Sequence, residues 1–222
     1  MKKAILRNPL ILEYDDNKIV ISNMSNIDVP NRSTPSNPFT QIILDFRGKN
    51  LPSEQIEADY NNTLNYPNNY FIAPESWREC FYTTSRKNML LLSRGIENIV
   101  RVRPPFNRYT MLSLFQRVSN FNDVKDQYMS IAPLTKKVYL IGGIELAAGI
   151  RMPPNTEIID STGSGLEKNW VIIVLAQDEG CALIAEEFEG GRYRGFFTTN
   201  LNLAIRCMEV LKAFLSIKEV DI

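Results

Sequence analysis

Trp170-Val171-Ile172-Ile173-Val174-Leu175-Ala176, then Gln177-Asp178-Glu179-Gly180, then Cys181-Ala182-Leu183-Ile184-Ala185-Glu186-Glu187-Phe188, is the stretch that decides the fold. The first run carries no charge. It reads as a strand buried on both faces, because a half-exposed strand would alternate apolar and polar residues. The polar turn that follows is short enough to send the second run back antiparallel beside the first.

Working outward, Arg192 to Thr198 predicts a further strand. Asn200 is placed to cap a last helix with Leu201, Ala204, Ile205, Met208, Leu211 and Leu215 on one stripe. Upstream, Thr110-Met111-Leu112-Ser113-Leu114-Phe115 and Val138-Tyr139-Leu140-Ile141 read as strands, the second ending in Gly142-Gly143. Between them Asn120 or Asn122 can cap a helix with Phe121, Val124, Tyr128 and Ile131 facing inward, and Pro133 stops it. Strand, helix and strand of this length build a parallel crossover. Glu157 to Asp160 is short and edge-like.

Nearer the start, Pro9 to Tyr14 and Ile19 to Ile21 flank the turn Asp15-Asp16-Asn17-Lys18 and predict a β-hairpin. Residues 25–39 have loop composition, Thr40 to Phe46 reads as a strand, and Ser53 to Tyr60 as a short helix. Ser76-Trp77-Arg78-Glu79 has capping-box spacing, and a second helix start at Ser85 leads to Met89, Leu92, Ile96 and Ile99 on one face. Pro104-Pro105 closes that region. The sum is an α/β fold: a single domain with a mixed, partly antiparallel sheet flanked by helices, plus an N-terminal β-hairpin extension. Residues 1–75 are read as the extension and 76–222 as the domain.

With 25 basic and 25 acidic residues, the chain has no global pull towards nucleic acid or anionic lipid. The only basic cluster, Arg94, Arg101, Arg103 and Arg108, reads as a solvated or partner-binding surface rather than a nucleic-acid patch. Arg7-Asn8-Pro9 breaks the opening apolar run before a signal peptide can form, which predicts a cytoplasmic protein. Cys80, Cys181 and Cys207 are odd in number and set in apolar surroundings, so they read as buried thiols. The chain contains no histidine, which excludes Ser-His-Asp and Cys-His catalysis and histidine-bearing metal sites.

Several segments, in this order and spacing, resemble the DICT domain. They are Ser85-Arg86-Lys87-Asn88-Met89-Leu90 with Ile96-Glu97, Leu114-Phe115-Gln116, and Tyr128 through Lys137-Val138-Tyr139-Leu140. They continue with Trp170 and its strand, Leu183-Ile184-Ala185-Glu186-Glu187, and Arg194-Gly195-Phe196. The resemblance covers about residues 76–217. It implies a sensory module of bacterial signal transduction, of the kind found with diguanylate cyclases and two-component systems, and so with cyclic di-GMP signalling. It also implies a signalling partner, a histidine kinase or diguanylate cyclase, acting in trans since the chain ends soon after the last helix.

Ligands of open α/β sheets lie outside the carboxyl ends of the strands. That rule nominates Gln116 and Arg117 after the first crossover strand, and Gly142 and Gly143 after the second, as a small-molecule site. The structural alternative is that Gln116 caps backbone groups and the glycines only turn the chain. Trp170 is a stacking surface or core, and Glu187 and Arg194 belong either to a site or to a cross-strand Glu–Arg pair formed by Glu186 or Glu187 with Arg192 or Arg194. No metal ligands or catalytic residues stand out, and no cofactor is indicated. The expectation is a non-catalytic sensory or regulatory domain binding a small ligand, a protein partner or both. The alternatives are a protein-interaction scaffold without ligand and, behind it, an enzyme.

Overall fold

Among the described residues eight strands pair in the order Lys49–Asn50 (β3), Cys80–Ser85 (β4), Arg192–Thr198 (β10), Gly180–Phe188 (β9), Asn169–Leu175 (β8), Thr110–Leu114 (β5), Lys137–Gly142 (β6) and Thr156–Asp160 (β7). In the computed structural model the described residues are 10–15, 18–23, 37–63, 71–116, 121–143, 153–217, 220 and 222. β5, β6 and β7 run parallel, as do β3 and β4, while β5–β8, β8–β9, β9–β10 and β10–β4 are antiparallel. The mixed sheet expected from the sequence is present.

The apolar run of β8 lies at the middle of this order and is flanked by β9 and β5. Successive side chains alternate between the two faces. Met111, Val138, Leu140, Ile172, Val174 and Leu183 join one core with α2 (Ser53–Thr63), α3 (Arg86–Glu97) and α5 (Lys125–Ile131); α4 (Ile99–Val102) follows α3 on that side. Leu112, Leu114, Val171, Ile173, Ile184 and Phe196 form the other core, under α1 (Thr40–Asp45) and α6 (Leu201–Leu215). Each fully buried large apolar side chain contributes about 1.5–3 kcal/mol, so both faces are held strongly. Ser85 caps α3 through its side chain and Asn200 caps α6, as their positions predict. Cys80, Cys181 and Cys207 are buried and unpaired.

Two local readings are corrected. Thr40 to Phe46, expected as a strand, is helix α1 with Phe46 as its C-cap. The paired β-branched residues Ile42 and Ile43 suggested a strand, but Phe39 and Ile43 are one helical turn apart and both buried, and the Gln41 amide donates to Asp45 at 2.8 Å. Ser76 to Glu79 starts no α-helix. A 3-10 turn at Glu75–Trp77 leads directly into β4, whose aromatic and β-branched residues Phe81, Tyr82, Thr83 and Thr84 favour a strand. Glu79, at φ 52°, instead turns its carboxylate onto a distant helix start, accepting from the Thr198 hydroxyl and the Thr199 and Asn200 amides.

Residues 36–222 make one compact unit. Phe39, Ile43, Leu51, Ile56 and Phe71 are buried in it, so the unit takes in the segment from 36 to 75 that the sequence sets apart. The other unit, residues 1–35, contains the hairpin of β1 (Leu10–Asp15) and β2 (Lys18–Asn23), in register from Leu10↔Asn23 to Asp15↔Lys18. No helix among the described residues is long and apolar enough to cross a membrane.

Candidate functional site

Beyond the carboxyl end of β5, where the chain leaves the sheet at Phe115 and Gln116, α3 and α5 leave a cleft. Arg86, Leu90, Ser93, Arg94 and Glu97 fall on one stripe of α3 at helical spacing and form its first wall. Val124 and Tyr128 close it from the α5 side, and Trp170 and Ile172 of β8 form its floor with Ser113 of β5. The void, open mouth included, is about 450 Å³, yet only about 20 Å³ admits the centre of a water-sized sphere. That smaller figure matters for occupancy, and it is room for about one water. Anything larger enters by moving the wall.

Glu97 is the electrostatic centre of the cleft. It is 3% exposed and accepts from Arg94 at 3.2 Å, from the Tyr128 phenol at 2.9 Å and from the Gln127 amide. Burial pushes its pKa up from 4.5 to about 7, with the charges of Arg94 and Arg101 and the Tyr128 hydrogen bond opposing that rise. The Tyr128 phenol is also 2.7 Å from the Ser113 hydroxyl. With one proton, it donates to the ionised Glu97 and accepts from Ser113. Burial first, and then Glu97, drive the Tyr128 pKa well above the usual phenol value.

A second polar node borders the first. The Gln116 amide donates to Glu187 at 3.1 Å and its carbonyl accepts from the Tyr193 phenol at 3.0 Å. Gln116 therefore bonds side chains, where the structural alternative had it capping backbone. Trp170 donates through its indole N–H to the Ser93 hydroxyl at 2.9 Å and meets the Tyr193 ring edge-on, centroids 5.7 Å apart. Desolvation raises the Tyr193 pKa, with the Glu187 charge adding to it.

Of the residues nominated from the sequence, Gln116 and Trp170 line this cleft and Glu187 is one hydrogen bond away. Gly142 ends β6 one strand over, opposite Asp160 of β7. Among the described residues, a Cβ on Gly143 would meet the Thr162 hydroxyl at 3.7 Å, an ordinary contact. Arg194 lies on the opposite face of the sheet. It pairs in register with Glu186 and donates to its carboxylate at 2.6 Å, while Asn37 and Thr40 satisfy the other oxygen. The cross-strand pair is thus Arg194–Glu186. Arg117 lies outside the described residues.

Glu97, Ser113, Tyr128, Ser93 and Arg86 were not nominated from the sequence, and Arg94 was read there as part of a solvated or partner-binding surface. The available signal was a hydroxyl between two leucines of a buried strand, Ser113, and a carboxylate one place beyond Ile96 of the buried stripe.

A separate and roomier cavity, about 590 Å³ with its open mouth against about 450 Å³ for the cleft, lies at the other end of β8, lined by Arg78, Arg103, Tyr109, Glu179, Cys181 and Thr199 among others. Its charges compensate one another: Glu179 pairs with Arg103 at 2.7 Å and Arg108 at 3.1 Å, and Arg78 pairs with Glu75. Arg94 pairs with Glu97, so three members of the sequence's basic cluster, Arg94, Arg103 and Arg108, are held by carboxylates. The Cys181 thiol at that cavity is pushed up to about 12 by burial and is a poor nucleophile. Among the described residues no group of His, Cys, Asp and Glu could hold a metal ion.

The family model of the sensory domain in diguanylate cyclases and two-component systems, DICT, matches residues 74–188, just over half of the chain. The match runs from the turn before β4 to the end of β9 and contains every residue that lines the α3–β5 cleft. No curated protein and no solved structure matches the chain. The chain belongs to the DICT family of sensory domains of signal-transduction proteins.

Proposed function

We propose that this domain senses by binding a small molecule in the α3–β5 cleft, without catalysis, and passes the change to a signalling protein in trans. One observation carries the reading. The segments through which the chain resembles its family supply Arg86, Glu97, Phe115, Gln116, Tyr128 and Trp170, and these six side chains, drawn from distant parts of the sequence, line a single cleft. Residues that served only to hold a sheet together would scatter through its two cores.

Binding rather than turnover is the reading because the Ser113 hydroxyl in the walls has no base, among the described residues, to activate it as a nucleophile. The Ser113 hydroxyl has Tyr128 beside it, and a phenol driven well above its usual pKa makes a poor base at neutral pH. The walls also offer a route outwards. α3 forms one side of the cleft and is tied on its other side to α2, by Lys87 to Glu57 at 3.2 Å and by the Asn88 amide to the Ser53 carbonyl at 3.1 Å. A ligand that displaces α3 moves α2 with it, which gives a partner a surface to read. Family membership supports a partner among signalling proteins, and three unpaired thiols suit a cytoplasmic setting.

Native mass spectrometry of protein incubated with a metabolite extract of cells tests the reading. Wild type should retain a small molecule that a Leu90→Trp variant, with the mouth of the cleft filled, does not. A wild-type protein that retains nothing, or a variant that retains the same molecule equally, overturns it.

A further inference from the structure

The charges around the cleft bear on what it would hold. Two guanidinium groups, Arg86 and Arg94, and one carboxyl, Glu97, reach its walls. Arg94 lies at the mouth with its side chain 28% exposed, and its hydrogen bond to Glu97 spans one turn of α3. Around Glu97, α4 adds the charge of Arg101, and α5 adds the Tyr128 phenol and the neutral Gln127 amide. From the sheet, the lining residues Ser113, Trp170 and Ile172 bring no charge. Leu90, Phe115, Trp170 and Ile172 make the rest of the wall apolar and aromatic.

Resting on the reading of this cleft as the binding site, we infer that its ligand is a small organic carboxylic acid with an apolar body. The ligand's carboxylate replaces Glu97 as the counter-ion of Arg94, and Glu97 takes up one proton from solvent. The balance is simple: one O–H bond forms on Glu97 as the bond that held the proton in a hydronium ion or buffer acid breaks, and the ligand's negative charge and the proton's positive charge leave the total charge of the site unchanged. The planar guanidinium fork of Arg94 matches a carboxylate, and the apolar walls accept the body of the acid.

Two considerations favour an acid over a cation. A cation would have to sit beside the Arg94 guanidinium, and Glu97, the carboxyl in the lining, is already engaged by three donors, while Asp123 is held by Arg86 at 3.7 Å and Glu187 by Gln116 at 3.1 Å. Neutralising Glu97 also costs little near neutral pH, since its burial has already pushed it to about 7. The Tyr128 phenol can then donate to Ser113 and accept from the protonated Glu97, so the phenol and the carboxyl both stay hydrogen-bonded. Rotation of Arg94 towards the mouth supplies the room that the closed cleft lacks.

Calorimetric titration of the whole protein with benzoate, benzamidine and benzyl alcohol, each in two buffers of different ionisation enthalpy, tests this. Benzoate should bind with uptake of about one proton at about pH 8, and its affinity should fall roughly tenfold per pH unit above about pH 7. Glu97→Gln should still bind benzoate, without proton uptake and without that pH dependence. Benzamidine or benzyl alcohol binding where benzoate does not would overturn the acid while leaving the cleft as the site. Benzoate that binds with no proton uptake, or with uptake that survives Glu97→Gln, would overturn the replacement of Glu97 by the ligand's carboxylate while leaving the cleft as the site. If none of the three binds, or if Leu90→Trp binds them unchanged, the cleft reading falls as well.

Discussion

Replacing Glu97 by glutamine keeps the shape and hydrogen-bonding reach of the side chain but fixes it in an uncharged form. The carboxyl is fully buried, and desolvation lifts its pKa from 4.5 to about 7 against the pull of Arg94, Tyr128 and Arg101. At about 1.4 kcal/mol per pH unit, that rise corresponds to about 3 kcal/mol of native stability tied to the proton on Glu97. The sign follows from proton counting. Between the two values the folded chain keeps a proton that the unfolded chain has released, so this contribution is complete below pH 4.5. It is lost as the pH rises towards 7 and is flat above that. Glutamine has no such proton, and every other titrating group is common to the two proteins. Urea unfolding of wild type and Glu97→Gln from about pH 5 to about pH 8 should show the variant gaining on wild type by about 2–3 kcal/mol across the range. A gap that stays constant, or that moves in favour of wild type as the pH rises, would refute the placement of Glu97 as a desolvated carboxyl in the cleft.

Three substitutions probe the frame around it. Gly195→Ala places a Cβ 2.0 Å from the Ile184 carbonyl oxygen and 2.7 Å from the Ala185 Cα, backbone that cannot give way. It should cost more than about 3 kcal/mol, seen as a fall in Tm or loss of soluble protein. Glu79→Ala removes the carboxylate that accepts from Thr198, Thr199 and Asn200, and should cost about 1–2 kcal/mol, with faster amide exchange in the first turn of α6. Gln116→Ala removes one hydrogen-bond partner each from the Tyr193 phenol and Glu187, which still bond one another, and should cost about 0.5–1.5 kcal/mol in urea unfolding while weakening benzoate binding. Unchanged affinity in a stable Gln116→Ala protein counts against the cleft.

The sheet was legible because its physics is local. The uncharged run from Trp170, the turn at Gln177–Gly180 and the crossover from Thr110 to Ile141 each constrain pairing by length and period, and they give the antiparallel β8–β9 and parallel β5–β6 pairs. α1 was not legible. Ile42-Ile43 favours a strand on propensity, and only the buried seat for Phe39 and Ile43 beneath β9 and β10 settles it as a helix. β4 was hidden by a capping-box spacing whose glutamate caps a helix 120 residues further on, a partnership that spacing alone cannot express.

The site divides in the same way. Gln116 and Trp170 could be nominated because both lie at strand ends, where α/β sheets present side chains to ligands. Glu97 could not, since a glutamate near the end of an amphipathic helix reads as solvated. Its burial arises when α5 brings Gln127 and Tyr128 over it and β5 brings Ser113 beneath Tyr128. Glu186 and Arg194 were legible as a pair, but the side of the sheet they occupy depended on register. That register puts them under α1, away from the cleft.

The chain has two tryptophans, which makes the cleft directly observable. The Trp170 indole lies in the cleft wall, whereas Trp77 is fully buried elsewhere, bonded to Asp59 at 2.7 Å and packed against Phe71. Their two indole N–H signals in a nitrogen–proton correlation spectrum can be assigned with a Trp77→Phe variant and followed while a metabolite extract of cells is titrated in. A small molecule seated between α3 and β5 predicts a saturable shift of the Trp170 signal with the Trp77 signal unmoved. A Trp170 signal that stays in place, or one that moves only together with Trp77, would contradict the cleft as the sensing site.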